Sequence, residues 1–191
     1  MRERTVVSRM KMIFLGLVIS MLGLAGCRGS KAVPTKNALN PPHTANSGKQ
    51  SGEKVDACGL LTKADAESFL GESVGQPATS RTEAMGNIVT QCRYSSSSGK
   101  RVGLLARQAA TSDQAAKVFR QARDTSNELS GAAPQMISGL GDDAYWTGGN
   151  LKQLNLLKSD VWLIITVSPG NGIDPLEASK VVAGKILVRM P

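Results

Sequence analysis

Leu151-Lys152-Gln153-Leu154-Asn155-Leu156-Leu157-Lys158-Ser159-Asp160-Val161-Trp162-Leu163-Ile164-Ile165-Thr166-Val167 reads as two strands folded back on each other. Gly148-Gly149-Asn150 turns the chain into the first strand, about Leu151–Leu157, and Ser159-Asp160 turns it into the second, Val161–Val167. So short a turn leaves room only for antiparallel pairing, because a parallel neighbour needs a crossover of a dozen or more residues. The second strand is apolar on both faces, with Val161, Leu163, Ile165 and Val167 on one and Trp162 and Ile164 on the other. Such a strand is expected to be covered on both sides.

Working outward, Asp174, Pro175 and Glu177 form a helix start, with a cap, a proline in first position and an acid in the first turn. Leu176, Val181, Val182, Ile186 and Leu187 supply its apolar surface. Upstream, Thr111 or Ser112 caps a helix whose stripe is Ala115, Val118, Phe119 and Ala122. That helix fades near Asn127–Gly131, and a short strand is expected around Met136-Ile137. Before it, Gln91–Tyr94 and Arg101–Gln108 read as a hairpin around the Ser/Gly loop. Val102, Leu104 and Ala106 share one face of the second strand, and Arg107 lies on the other. Thr62 and Asp65 make a capping box for a helix that ends at Gly71. Glu72–Thr90 is polar and Gly-rich, with strand character only at Ile88-Val89. The whole predicts an α+β domain over 55–191, an antiparallel sheet flanked by helices.

The N-terminal end has a different logic. Arg2, Arg4, Arg9 and Lys11 precede the apolar run Met12–Leu24 and the small residues Ala25 and Gly26. That is the order of a secretory signal peptide over 1–26, and the run is too short for a permanent span, which takes roughly 20 apolar residues. Leu24-Ala25-Gly26-Cys27 resembles the lipobox of bacterial lipoproteins. The resemblance implies cleavage after Gly26, diacylglycerol on the Cys27 thiol, and acylation of the new N-terminus with a chain such as palmitate. It places the protein on the cell membrane or outer membrane, with the domain outside the cytoplasm. Arg28 follows the cysteine, where an Asp would favour inner-membrane retention in enterobacterial lipoproteins.

Residues 27–54 are rich in Pro, Gly, Ser, Asn, Thr and Lys and bury too little to repay ordering, so they read as a flexible tether. It holds His43, the chain's single histidine. Lipidation of Cys27 leaves Cys58 and Cys92 as a pair. In an exported chain a disulfide is expected of them, with two separate buried thiols as the alternative. The formal charge of +8 looks like a nucleic-acid footprint until it is divided. Residues 1–26 carry four Lys/Arg against one Glu, and residues 27–50 carry Arg28, Lys31, Lys36 and Lys49 with no acid. The remainder is nearly neutral, so no nucleic-acid partner is expected.

Cys58-Gly59-Leu60-Leu61-Thr62-Lys63-Ala64-Asp65, Cys92-Arg93-Tyr94 and Gly139-Leu140-Gly141-Asp142-Asp143-Ala144-Tyr145 together resemble small bacterial lipoproteins, some similar to the Mog1/PsbP-like α/β/α sandwich. The resemblance spans about Ala57 to the end. It implies that fold, and no catalytic motif comes with it.

Chemistry is sparse. Without a histidine beyond the tether, the Ser-His-Asp and Cys-His arrangements are out of reach. Gly139–Gly141 lacks the helix and lysine of a phosphate loop. Asp142 and Asp143, if extended, point to opposite faces and do not form an acid/base pair. They are expected at a turn and strand start, with a calcium contact as the alternative. Tyr145, Trp146 and Trp162 are candidates for a groove, although aromatics in strands more often fill a core. The candidate interaction surface is therefore Asp142, Asp143, Tyr145 and Trp146, with no catalytic, cofactor or metal residues. Two function classes follow, ahead of an unrecognised hydrolase: a lipid-anchored, non-catalytic domain that binds an envelope protein or helps an assembly, and a carrier of a small apolar ligand or lipid.

Overall fold

The computed structural model describes residues 54–170 and 172–190. The signal peptide, Cys27 and His43 lie outside the described residues. One antiparallel sheet carries β1 (Ala78–Ala84), β2 (Asn87–Ser95), β3 (Arg101–Gln108), β4 (Gln135–Met136), β5 (Asp143–Thr147), β6 (Gln153–Lys158) and β7 (Val161–Ser168), in the order β1-β2-β3-β7-β6-β5-β4. Two meanders thus meet at the β3–β7 seam, where Leu104 pairs with Ile165 and Leu105 with Ile164. The turn of Ser159-Asp160 pairs Lys158 with Val161, as the opening stretch of sequence requires.

Helices lie on both faces. On one, α1 (Ala57–Leu60), α2 (Lys63–Leu70) and α4 (Pro175–Arg189) cover Cys92, Val102, Leu104, Leu154, Leu156, Leu163 and Ile165, all nearly solvent-free. On the other, α3 (Ser112–Ser130) lays Ala115 and Phe119 against Tyr145, Leu157 and Trp162. The cap signals act as read. Thr62 and Asp65 close a reciprocal capping box, and Gly71 ends α2 at φ 70°, a left-handed geometry that favours glycine. Thr111 caps α3, and Asp174 caps α4 with Pro175 behind it. The Cys58–Cys92 disulfide ties α1 to β2, with Cα atoms 5.1 Å apart.

Two elements depart from the sequence reading. β1 runs through the stretch read as polar loop, and β2 begins at Asn87 rather than Gln91. Every residue of β1 is exposed, so no apolar alternation marks it. Its hairpin turns at Met85 and Gly86, both at positive φ, the geometry that matches the twist of paired strands. α1 is one turn long and has no room for periodicity. Asp56 caps it, accepting from the Gly59 N–H at 3.0 Å.

Candidate interaction surface

The structure divides the residues of the Gly139–Trp146 stretch between different tasks. Asp142 accepts from the Ser159 N–H at 2.6 Å and from Lys158 Nζ at 3.1 Å. Ser159 has φ 53°, so Asp142 braces the β6–β7 turn. The Ser159 N–H, with Lys158 behind it, holds the Asp142 carboxyl below its ordinary range. Asp143 opens β5 and reaches Arg123 of α3 at 3.6 Å. The two carboxylates therefore sit at a turn and a strand start with separate basic partners.

The aromatics part in the same way. Tyr145 is only 2 % exposed, packed edge-on against Phe119 with ring centroids 5.1 Å apart. Burial pushes its hydroxyl up to about 12. Trp146 alternates to the opposite face and packs, half-buried, on the larger core. These four residues do not form one surface. Among the described residues no group of three or more His, Cys, Asp or Glu is placed to hold a metal ion.

A different surface emerges from the register. α3 covers β5, β6 and one end of β7, and among the described residues no element covers the same face of β1, β2 and β3. Cross-strand rows on that face read Thr82–Val89–Arg107–Trp162, Ser80–Gln91–Leu105–Ile164 and Ala78–Arg93–Gly103–Thr166. Leu105 and Ile164 are half-buried and lie side by side at its centre. The Arg93 stem lies against Gly103, where a side-chain carbon would sit 3.7 Å from Arg93 Cγ and 3.0 Å from Thr166 Oγ1.

Where this open half meets α3 there is a groove of about 210 Å³, lined by Met85, Arg107, Ala115, Val118 and Trp162 among others. Met85, at the hairpin tip, is 99 % exposed. The Trp162 indole N–H donates to Asn155 Oδ1 at 3.2 Å, and Asn155 in turn donates to Thr147 Oγ1 at 3.1 Å. That chain of bonds fixes the ring that forms the groove wall.

The open half is also basic. Arg93, Arg101 and Arg107 all lie on it, and none forms an ion pair with a described carboxylate. No Asp or Glu occupies this face of β1, β2, β3 or β7. The near-neutral charge of the domain conceals this, because its acids sit elsewhere. Sequence reading placed Arg107 opposite the core face and identified Trp162 as a groove candidate. Alternation also sets Ile164 on the face of Trp162, and the register brings Arg93, Arg101 and Leu105 beside them.

No protein-family model matches the chain, and no curated protein or solved structure matches it. The functional reading therefore rests on the chain's own residues.

Proposed function

We propose that this chain is an envelope lipoprotein whose domain is a non-catalytic interaction module, held to a membrane through lipid on Cys27. The finer fold belongs to the same proposal: an α/β/α sandwich of the Mog1/PsbP-like kind, supported by helices on both faces of an antiparallel sheet. One observation carries the interaction reading. Among the described residues no element covers half of one sheet face, and its apolar centre is ringed by arginines that meet no described carboxylate. Interfaces favour this composition, an apolar centre with arginine. The anchoring half rests on Leu24-Ala25-Gly26-Cys27 after a basic head and a short apolar run. A disulfide between Cys58 and Cys92 suits a chain that folds in an oxidising compartment.

The carrier reading fares less well. Sites that enclose a small ligand usually measure roughly 300–1,000 Å³. The groove beside Trp162 is about 210 Å³ and takes Arg107 into its lining. A wider hollow of about 380 Å³ beside α4, lined by residues 135–140 and Lys180, is open and mostly polar, which does not suit an apolar ligand.

The test has two arms. Mass spectrometry of membrane-extracted protein is expected to find a lipid-modified peptide beginning at Cys27; an unmodified Cys27 inside a longer mature peptide would sink the anchor. In intact cells, cross-linkers placed at Leu105 and Ile164 are expected to trap one protein species, and Cys27→Ser to abolish it. Asp142→Asn and Asp143→Asn are expected to leave it intact. Cross-links to lipid alone would favour the carrier.

A further inference from the structure

We infer that the half of the sheet left open by the described elements receives an amphipathic helix from a partner protein, with acidic residues along its flanks and one large apolar side chain set in the Trp162 groove. The inference rests on the reading of the domain as an interaction module and names what it binds.

Shape comes first. A face bordered by α3 is a step whose floor lies one helix layer below its rim, about 10 Å. The next layer of such a sheet is another helix. The floor of β1, β2, β3 and β7 spans roughly 15–20 Å at strand spacing, which a helix of about 12 residues crosses. A flat bilayer resting on α3 would stand clear of Leu105 and Ile164.

Charge then selects the helix. Arg107 lies between Val89 and Trp162, Arg93 beside Gly103, and Arg101 between Ser95 and Ser168. They surround the apolar pair Leu105 and Ile164, so a complementary helix carries apolar residues along one stripe and Asp or Glu beside it. A second copy of this chain does not fit. Two-fold pairing of like faces would set these arginines against their own copies. Residues 27–50, with four cations and no acid, do not supply the missing charge either.

The groove supplies the anchor point. At about 210 Å³ it suits a single side chain rather than a whole ligand. Its walls are Trp162, Val118, Ala115 and the exposed Met85, an adaptable thioether at the tip of the β1–β2 hairpin. Aromatic and arginine residues at a pocket of this kind are where binding energy concentrates.

The test uses the full chain in neutral detergent micelles and a displayed library of helical peptides with a fixed leucine stripe and randomised flanks. Enrichment of Asp and Glu at the flanks is expected. Binding of an enriched peptide should weaken roughly tenfold or more in Arg93→Glu/Arg107→Glu and in Leu105→Asp, with circular dichroism unchanged. The double charge reversal should itself select Lys- or Arg-flanked peptides, which a merely structural defect would not do. Failure to enrich acidic flanks, or binding indifferent to these variants, overturns the inference. So does binding of the wild type to phosphatidylglycerol vesicles that the same charge reversal abolishes while peptide binding persists; the face would then be a membrane contact. Loss of the Cys27 lipopeptide would refute the anchor and leave the peptide result standing, so the two failures are distinguishable.

Discussion

Arg189→Met tests the energetic reading of the α4 dock. Arg189 reaches across from the end of α4 to Asp65 in the first turn of α2, with Nη1–Oδ2 at 2.6 Å and Nη2–Oδ1 at 3.1 Å, and donates to the Leu60 carbonyl at 2.9 Å. The Asp65 side chain is 8 % exposed, and Lys185 approaches it only at 3.9 Å. The Arg189 hydrogen bonds, against burial and with help from Thr62, hold the Asp65 carboxyl at about 2, below an ordinary 3.8. A depression of that size corresponds to about 2 kcal/mol of folding stability. The Arg189 side chain is 37 % exposed, so water screens part of it and about 1.5–2 kcal/mol is a fair expectation.

The sign follows from the direction of the shift. A carboxyl with a lowered folded pKa stabilises fully above its unfolded value and loses that stabilisation as pH falls through the folded one. The difference between wild type and Arg189→Met should be full at pH 7, about half near pH 3, and a few tenths of a kcal/mol at pH 2. Methionine keeps the apolar stem's packing and removes the donors. Urea titrations followed by tryptophan fluorescence at several pH values, disulfide intact, measure it. A difference that does not change with pH, or one below about 0.5 kcal/mol at pH 7, would refute the pair as the cause.

Three further outcomes are expected. Replacing Cys58 and Cys92 together by Ser opens a loop with a sequence separation of 34 and should cost about 3–4 kcal/mol in urea unfolding, with no added loss on reduction. Phe119→Ala empties the contact between α3, Tyr145 and Trp162 and should cost about 3–5 kcal/mol, with changed near-ultraviolet dichroism. Gly149→Ala should destabilise by more than about 1 kcal/mol in thermal melts, because Gly149 has φ 56° and an added side-chain carbon would sit 2.0 Å from the Ser130 carbonyl oxygen.

Much of the fold was legible because its elements carry local chemistry. Thr62 with Asp65, Thr111, and Asp174 with Pro175 mark helix starts through groups that bond the first free N–H donors, and each does so in the structure. The β6–β7 hairpin was legible through its turn, and β3 through alternation. β1 was not, because alternation records burial and β1 buries nothing on either face. The site was harder still. Tyr145 and Trp146 are neighbours in sequence and face opposite layers, so one fills the smaller core and the other lies on the larger. Arg93, Leu105 and Ile164 share a face only through pairings between strands distant in sequence, which no local pattern contains.

The contrast between the sheet's edge and its open face bears on how a partner would approach. Among the described residues β1 pairs with β2 alone and is the sheet's edge, the usual place for an added strand. On its core-facing side it carries Arg81 and Glu83, which pair with each other, and Lys54 reaches Glu83 at 3.2 Å. Inward-facing charges on an edge strand oppose further pairing, since an added strand would have to bury or displace them. The open face has no such guard. Its charges, Arg93, Arg101 and Arg107, stand around Leu105 and Ile164 and share one sign, so they repel a second copy and favour an acid-flanked partner. Edge and face thus differ in kind: mixed charges that satisfy one another close the first, and cations without described partners leave the second open to a selective ligand. On this argument a partner packs across the sheet as a helix rather than extending it as a strand. Binding should then depend on Leu105 and Arg107 and be indifferent to proline at Thr79, whose N–H faces away from β2 and is one that a strand added to β1 would need.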